Sequence, residues 1–186
     1  MTRLAVFPIP VYLLPEGSTK LRIFEPRYIR MVKECVGEQG FALSLSQPSN
    51  VDTPSPWAAW VEITDFDSLD NGLLGITIRA KSLVSLSNIV TEPDGLLKAN
   101  ISPLAHWASL DRPDIDIELQ NELKRFLDKN HELSSLYPKK NYSDPIWVCS
   151  RWLEILPLNY QSRQQCIAPD SFNVAQNLIK TIVLGN

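Results

Sequence analysis

Residues 21–28 read LRIFEPRY, and they decide the local fold because an apolar run changes there into a helix. Pro26 suits a first helical turn, since its ring presets φ and it has no amide hydrogen to leave unpaired. Glu25 stands just before it, where a carboxylate meets the positive end of the helix dipole. Apolar side chains then recur at three- and four-residue spacing, at Tyr28, Met31, Val32 and Cys35. The segment is therefore predicted to be a strand, a sharp corner and an amphipathic helix that ends at Gly37.

The segments on either side of this corner are predicted to be strands. Upstream, residues 4–17 read LAVFPIPVYLLPEG, and prolines in such apolar sequence favour edge or barrel-rim strands, here 4–7 and 11–14. Downstream, residues 65–78 read DFDSLDNGLLGITI, in which Asn71-Gly72 signals a tight hairpin turn with positive φ. The other predicted strand segments are residues 41–46, 57–66, 73–82 and about 95–107, with a Pro- and Ser-rich loop at 47–56.

Beyond residues 111–114, DRPD, the apolar pattern becomes helical. Three helices are predicted: the first carries residues 119–127, the second begins at Asp144-Pro145 and stops at Pro157, and the third is capped by Asp170 or Ser171. The predicted domains are a β-rich domain, residues 1–110, and a helical domain, residues 111–186. The fold class is α+β, an antiparallel β pseudobarrel with one inserted helix, followed by a C-terminal helical bundle.

Taken in this order, segments 4–17, 21–28 and 65–78 resemble the Lon substrate-binding domain family. This is the N-terminal domain of the ATP-dependent protease Lon, and it also occurs as small stand-alone bacterial proteins. The resemblance is clearest over residues 4–86 and extends to residues 151–158, RWLEILPL, which are similar to the family's helix ending in Leu-Pro-Leu. It implies a PUA-like pseudobarrel followed by a helical bundle, used to bind polypeptide.

The chain departs from the family pattern at two places. Ala58 and Ala59 stand where a glycine is usual ahead of the third strand. Residues 82–86, SLVSL, replace an Arg-rich strand end. Contacts that the family makes through those positions are therefore not carried over to this chain.

Charge and composition favour a cytoplasmic protein without membrane or nucleic-acid association. Lys and Arg number 18 against 21 Asp and Glu, a formal charge of −3, so no long-range field attracts nucleic acid. Three cysteines without CxxC spacing are typical of reduced thiols. Pro8, Pro10 and Pro15 break the apolar run that imitates a signal peptide, and no run reaches the roughly 18 apolar residues needed to span a bilayer.

No motif for catalysis or metal binding is present. The chain has neither a GxxxxGK[ST] phosphate loop nor a GxSxG elbow, although a distant Ser and Lys pair stays open. His106 and His131 belong to no HExxH, HxH or Cys-plus-His cluster, and they are interpreted as a half-buried strand histidine and a helix-end residue. Asp65, Asp67 and Asp70 lack the glycine and the terminal glutamate of a calcium loop. We therefore expect no enzyme activity, no catalytic residue, no metal and no cofactor.

The candidate binding residues are two arginines and two tryptophans: Arg22, Arg27, Trp60 and Trp107. Glu25 and Arg27 either contact a peptide or form a cap and a local ion pair, and the second interpretation is favoured. Trp57 and Trp60 are an odd number of residues apart on one strand, so only one of them can face the core. The other is a candidate for recognition, since aromatic rings supply contact area at little entropic cost, although packing between the domains would also explain it.

The leading functional hypothesis is a non-catalytic polypeptide-binding module, acting alone or as an adaptor in protein quality control. Its expected partners are unfolded or extended polypeptide and a protease or chaperone. The alternative is RNA binding, because PUA-like folds include RNA-binding members, but the acidic composition and the absence of a basic stripe argue against it. A third class, a small-molecule enzyme, has no supporting group of residues.

Overall fold

The computed structural model of the protein describes residues 2–37, 39–107 and 113–185. The chain divides into two compact units, Met1–Leu104 and Ala105–Asn186. The domain boundary expected between residues 110 and 111 lies outside the described residues. The architecture is mixed, with a mainly antiparallel sheet in the first unit and helices in the second.

Seven strands and one α-helix form the described part of the first unit. The helix α1, Pro26–Cys35, follows β2 directly, so the strand, corner and helix expected at residues 21–28 are confirmed. The strands are β1 Thr2–Ile9, β2 Ser18–Ile23, β3 Phe41–Gln47, β4 Asn50–Pro54, β5 Trp57–Ser68, β6 Leu74–Thr91 and β7 Leu97–Pro103.

The strand pairings form a closed circuit. The order β1, β7, β6, β5, β3 is antiparallel throughout, and β3 then pairs with β1 in parallel, from Val6 opposite Ala42 to Ile9 opposite Leu45. The sequence predicts only antiparallel pairs, so this parallel pair is a correction. Parallel neighbours need a long crossover connection, which β2 and α1 supply here. Outside the circuit, β2 pairs with β6 and β4 pairs with β3.

Several predicted strand boundaries were wrong. Residues 11–14 form no strand although 12–14 are buried, because the flanking prolines interrupt backbone pairing. The strand β4 lies in the segment 47–56, which the sequence predicts to be a loop. The last strand, β7, ends at Pro103, so residues 104–107 continue beyond the sheet.

The β5–β6 hairpin confirms one turn prediction and corrects another. Gly72 has a φ of +74°, as the Asn-Gly pair predicts. The turn is wider than two residues, however, since a single 3-10 turn, Asp70–Gly72, connects the strands. The Gly72 N–H donates to the Leu69 carbonyl at 3.1 Å, and the Leu69 N–H donates to the Leu73 carbonyl at 2.9 Å.

Packing in the first unit fixes α1 against the sheet. Its buried side chains are Tyr28, Met31 and Val32. The Tyr28 ring lies 4.0 Å from the Phe7 ring, centroid to centroid, and Phe7 also packs on Phe41 at 6.3 Å. The corner between β2 and α1 is therefore held by aromatic contacts to β1 and β3.

The described part of the second unit is helical. Its helices are α2 Ile117–Lys129, α3 His131–Ser135, α4 Pro145–Ile155, α5 Tyr160–Gln165 and α6 Phe172–Val183. The two short helices, α3 and α5, were not expected. Asp144 caps α4 as predicted, accepting from the Ile146 N–H at 2.9 Å. Ser171 precedes α6 without a side-chain capping bond, because its hydroxyl accepts from the Trp107 indole at 3.0 Å and donates to Ala168.

The central helix of this unit is α4, which is buried on most of its surface. Trp147 and Trp152 are both buried, on different sides of the helix, and the Trp152 indole donates to the Leu119 carbonyl at 3.0 Å. Arg151 is 1% exposed and pairs with Glu154 through two bonds of 2.7 and 2.8 Å. None of the described helices is long and apolar enough to cross a bilayer.

Candidate functional site

A cavity of about 220 Å³ lies beside the corner between β2 and α1. We call it the corner cavity; residues 7–10, 22–25, 27–28 and 51–52 line it. It therefore combines the end of β1, the corner itself, the start of α1 and part of β4. Two of the candidate binding residues, Arg22 and Arg27, lie together in its wall.

Alternation along β2 positions the outer side chains of the corner cavity. Leu21 and Ile23 are buried, whereas Arg22 and Phe24 are exposed, as expected for successive residues of a strand. Phe24 is 64% exposed, and Val51 on β4 is 63% exposed. Two large apolar side chains thus face solvent at one cavity that is otherwise lined mostly by apolar residues, a feature typical of binding surfaces.

Arg27 is fully engaged in holding the corner together. Its Nε donates to Glu25 Oε2 at 2.8 Å, and its two terminal nitrogens donate to the Gly95 carbonyl at 3.2 Å and to Asp52 Oδ1 at 3.1 Å. Burial alone would lower the pKa of Arg27, but Asp52, Tyr28 and Glu25 outweigh it and raise the pKa. Arg27 is therefore a charged clamp between α1, β4 and the turn that contains Gly95.

The ion-pair interpretation of Glu25 and Arg27 fits this geometry, whereas the capping interpretation does not. Glu25 occupies the N-cap position of α1, but its carboxylate makes no capping hydrogen bond. That carboxylate is directed to Arg27 instead.

Arg22 differs from Arg27 in its side-chain contacts. Its side chain is exposed, and no described residue forms an ion pair or hydrogen bond with that side chain. Its neighbour across the β2–β6 ladder is Gly75, which has no side chain to offer. Asp67 on β5 lies opposite Gly75 on β6, so it is the next side chain in the same row across the sheet. Two strand spacings, about 10 Å, separate Asp67 from Arg22.

A surface ion-pair network strengthens the outer side of α1. Arg30 contacts Glu92, Asp94 at 2.7 Å and Glu34 at 2.9 Å, and Lys98 also reaches Glu34 and Glu92. Hydrogen bonds from Arg30 hold the pKa of Asp94 and of Glu92 below their usual ranges. Each of these two cations and three carboxylates has a partner within the network, so the network fixes α1 rather than offering a free site.

Trp60 lies on a different surface from the corner cavity. It is half-buried against a cluster that includes Ala58, while Trp57 is 4% exposed, so the two rings face opposite sides as predicted. The Trp60 indole donates to the Gln39 carbonyl at 2.5 Å, and Lys81 Nζ lies 4.1 Å from its ring centroid. Trp60 does not line the cavity that contains the two arginines.

Trp107 is fully buried in the second unit, which corrects the expectation that it offers contact surface. Its ring packs edge-on against Phe172 at 5.2 Å and stacks on His106 at 4.3 Å. With its indole N–H bonded to Ser171, the side chain forms part of the core. The sequence did not indicate this, since the partners lie about 64 residues further along the chain.

His106 is also buried and lies outside the strands. Its Nδ1 is 3.2 Å from the Ile167 carbonyl, and burial lowers its pKa to about 4. No group of three or more His, Cys, Asp or Glu side chains suited to a metal occurs in the described ranges. Asp65, Asp67 and Asp70 lie exposed at and near the hairpin tip.

Two residues of the site were missed by the sequence reasoning, Phe24 and Val51. A signal for Phe24 was available, because the alternation of Leu21, Arg22 and Ile23 directs the following side chain outward. Val51 had no such signal, since it lies in a segment that the sequence predicts to be a loop.

Comparison with known proteins identifies the fold. No protein-family model matches this chain, and no curated protein matches it. A crystal structure of a Lon N-terminal domain protein from Xanthomonas campestris matches with 25% identity and a TM-score of 0.72, covering 96% of this chain and 98% of that one. The N-terminal domain of a Mycobacterium avium complex Lon protease matches in fold with 10% identity and a TM-score of 0.64, covering 98% of each chain. The structural neighbours of this chain are therefore Lon N-terminal domain proteins, as the order of its three sequence segments predicts.

Proposed function

We propose that this protein is a non-catalytic polypeptide-binding module that holds apolar side chains of extended polypeptide in the corner cavity. The observation that carries the proposal is the exposure of Phe24 and Val51 beside this cavity. Large apolar side chains on a surface mark interaction sites when they gather at one cavity. The resemblance to Lon N-terminal domains supports the same function.

The size of the corner cavity favours a single side chain over a cofactor. A cavity of about 150 Å³ is enough to bind benzene, whereas pockets for drug-sized ligands usually exceed about 300 Å³. At about 220 Å³, the corner cavity suits one aromatic or branched aliphatic side chain. Unfolded polypeptide presents such side chains, while folded proteins bury most of them.

The remaining features of the hypothesis extend this proposal. The fold is proposed to be a PUA-like pseudobarrel with a C-terminal helical bundle, and the protein to act in the cytoplasm as an adaptor in quality control with a protease or chaperone. Trp60 is proposed as a second aromatic contact, since its ring is half-buried. Trp107 is not proposed as a contact residue because it is buried.

The chemistry of the cysteines supports a non-catalytic role. Burial raises the pKa of Cys35 to about 11, of Cys149 to about 12 and of Cys166 to about 11. A thiol acts as a nucleophile in its thiolate form, which these pKa values disfavour at neutral pH. The cysteines are therefore better explained as packing residues.

The proposal is tested by titrating a reduced and carboxymethylated model protein against the wild type and two alanine variants. Phe24→Ala should weaken binding at least about fivefold, the effect of losing an aromatic anchor worth more than about 1 kcal/mol. Phe66→Ala is the matched control, because Phe66 is 49% exposed and does not line the corner cavity. Equal binding by the two variants would place the contact elsewhere.

A parallel titration with a mixed single-stranded RNA separates the alternative function. Binding through several phosphates loses about a thousandfold or more in affinity between 50 and 200 mM salt. Apolar contacts weaken only modestly over the same range. Tight, salt-sensitive RNA binding without polypeptide affinity would overturn the proposal.

A further inference from the structure

We propose that the corner cavity selects extended polypeptide segments in which a bulky apolar residue stands two positions from a carboxylate side chain. This inference rests on the proposed function and adds a ligand chemistry to it. The apolar residue would enter the cavity beside Phe24, and the carboxylate would pair with Arg22.

The first argument for this ligand comes from the charged side chains around the cavity. Four ionised side chains line it: Arg22, Glu25, Arg27 and Asp52. Arg27 is bonded to both carboxylates, at 2.8 and 3.1 Å, so these three form a closed cluster. That cluster carries a net charge of −1 and Arg22 brings the lining to neutrality, but the Arg22 side chain has no ion-pair or hydrogen-bond partner among the described residues, so its N–H donors at the rim are open to a ligand.

The second argument comes from the spacing of Arg22 and Phe24 along the chain. Arg22 on β2 and Phe24, which directly follows the last residue of β2, are alternate residues, and both are exposed. Alternate residues of a strand are about 7 Å apart along the chain, and an extended ligand repeats at the same interval. A ligand running beside β2 therefore brings side chains two positions apart to Phe24 and Arg22 together.

The geometry favours a carboxylate on a side chain over a chain terminus. A terminal carboxylate is usually captured by converging backbone N–H groups. Here the positive charge is carried by a long arginine side chain on an exposed strand, which suits a side chain of similar reach. The ligand carboxylate is therefore that of an internal aspartate or glutamate.

The test uses end-blocked peptides of one extended sequence with a phenylalanine anchor and a glutamate two residues away. Wild-type protein should bind this peptide about two- to fivefold more tightly than the Glu→Gln peptide, the range expected for an exposed ion pair. Arg22→Gln should abolish that preference. Arg79→Gln is the matched control: Arg79 is exposed on β6, lies outside the cavity and should leave the preference unchanged.

Three outcomes would overturn the inference. The first is equal binding of the Glu and Gln peptides by the wild type, while a Phe→Ala peptide still loses affinity; the proposed function would then stand and the charge selectivity would not. The second is a preference that survives Arg22→Gln. The third is tighter binding of a peptide that ends in a free carboxylate after the anchor. Failure of the wild type to bind any of the peptides, or the unfolded model protein, would instead reject the proposed function itself.

Discussion

The two arginines of the corner cavity show how residues of one type take different roles within a short segment. Arg27 contacts two carboxylates and a backbone carbonyl, so its substitution would disturb the corner before it affected any ligand. The Arg22 side chain forms no ion pair or hydrogen bond with a described residue, so its guanidinium is available to a ligand. The difference follows from position: Arg27 lies in the first turn of α1, facing β4, and Arg22 lies on the outer face of β2.

His106 should make the protein less stable at mildly acidic pH. Its folded-state pKa of about 4 lies below the ordinary value of 6.5 because the imidazole is buried. The unfolded state therefore binds a proton more readily, and the stability that the neutral imidazole contributes is present above pH 6.5 and lost as the pH falls toward 4. Between pH 7 and 5 this amounts to about 2 kcal/mol, at roughly 1.36 kcal/mol per pH unit below 6.5.

Urea denaturation at pH 7 and pH 5 measures this effect. His106→Gln should remove most of the pH-dependent loss in the free energy of unfolding, even if the variant is less stable at both pH values. His131→Gln is the matched control, because His131 is exposed at the start of α3. If the two variants show the same dependence on pH, His106 is not the titrating group.

The β5–β6 hairpin depends on the backbone conformation of one residue. Gly72 has positive φ, and a Cβ atom there would meet no heavy atom within 4 Å outside the two adjacent residues. Gly72→Val should therefore destabilise the protein through φ alone, by about 1 to 3 kcal/mol, because β-branched residues rarely adopt this conformation. Gly72→Asn should cost less, since asparagine tolerates positive φ.

Thermal and urea unfolding of these two variants test the interpretation of the turn. Binding of unfolded polypeptide should be unchanged in both, because Gly72 does not line the corner cavity. A Gly72→Val variant that melts with the wild type and yet loses its polypeptide partner would show that the turn is a contact surface.

Taken as a whole, the chain is expected to bind without turning over a substrate. Its sequence has no phosphate loop for ATP, and the pKa values of its three thiols are all raised. Purified protein should therefore release neither phosphate from ATP nor peptides from casein. A specific activity that stays constant through a second, unrelated purification step would contradict this expectation.

The sequence by itself determined the local transitions, because they depend on neighbouring residues. Pro26 begins α1, Asp144 caps α4, Gly72 adopts positive φ, and the alternation along β2 directs Arg22 outward. Each of these follows from backbone conformation or hydrogen bonding within a few residues.

Only the tertiary structure decided which distant segments meet. The parallel pairing of β1 with β3, the burial of Trp107 and the gathering of residues 7–10, 22–25, 27–28 and 51–52 around one cavity all depend on contacts far apart in sequence. Local propensity carries little information about such contacts, since chain topology and the burial of apolar surface from separate elements decide them. For this reason the exposed side chain of Val51 belongs to the site, whereas the buried side chain of Trp107 does not.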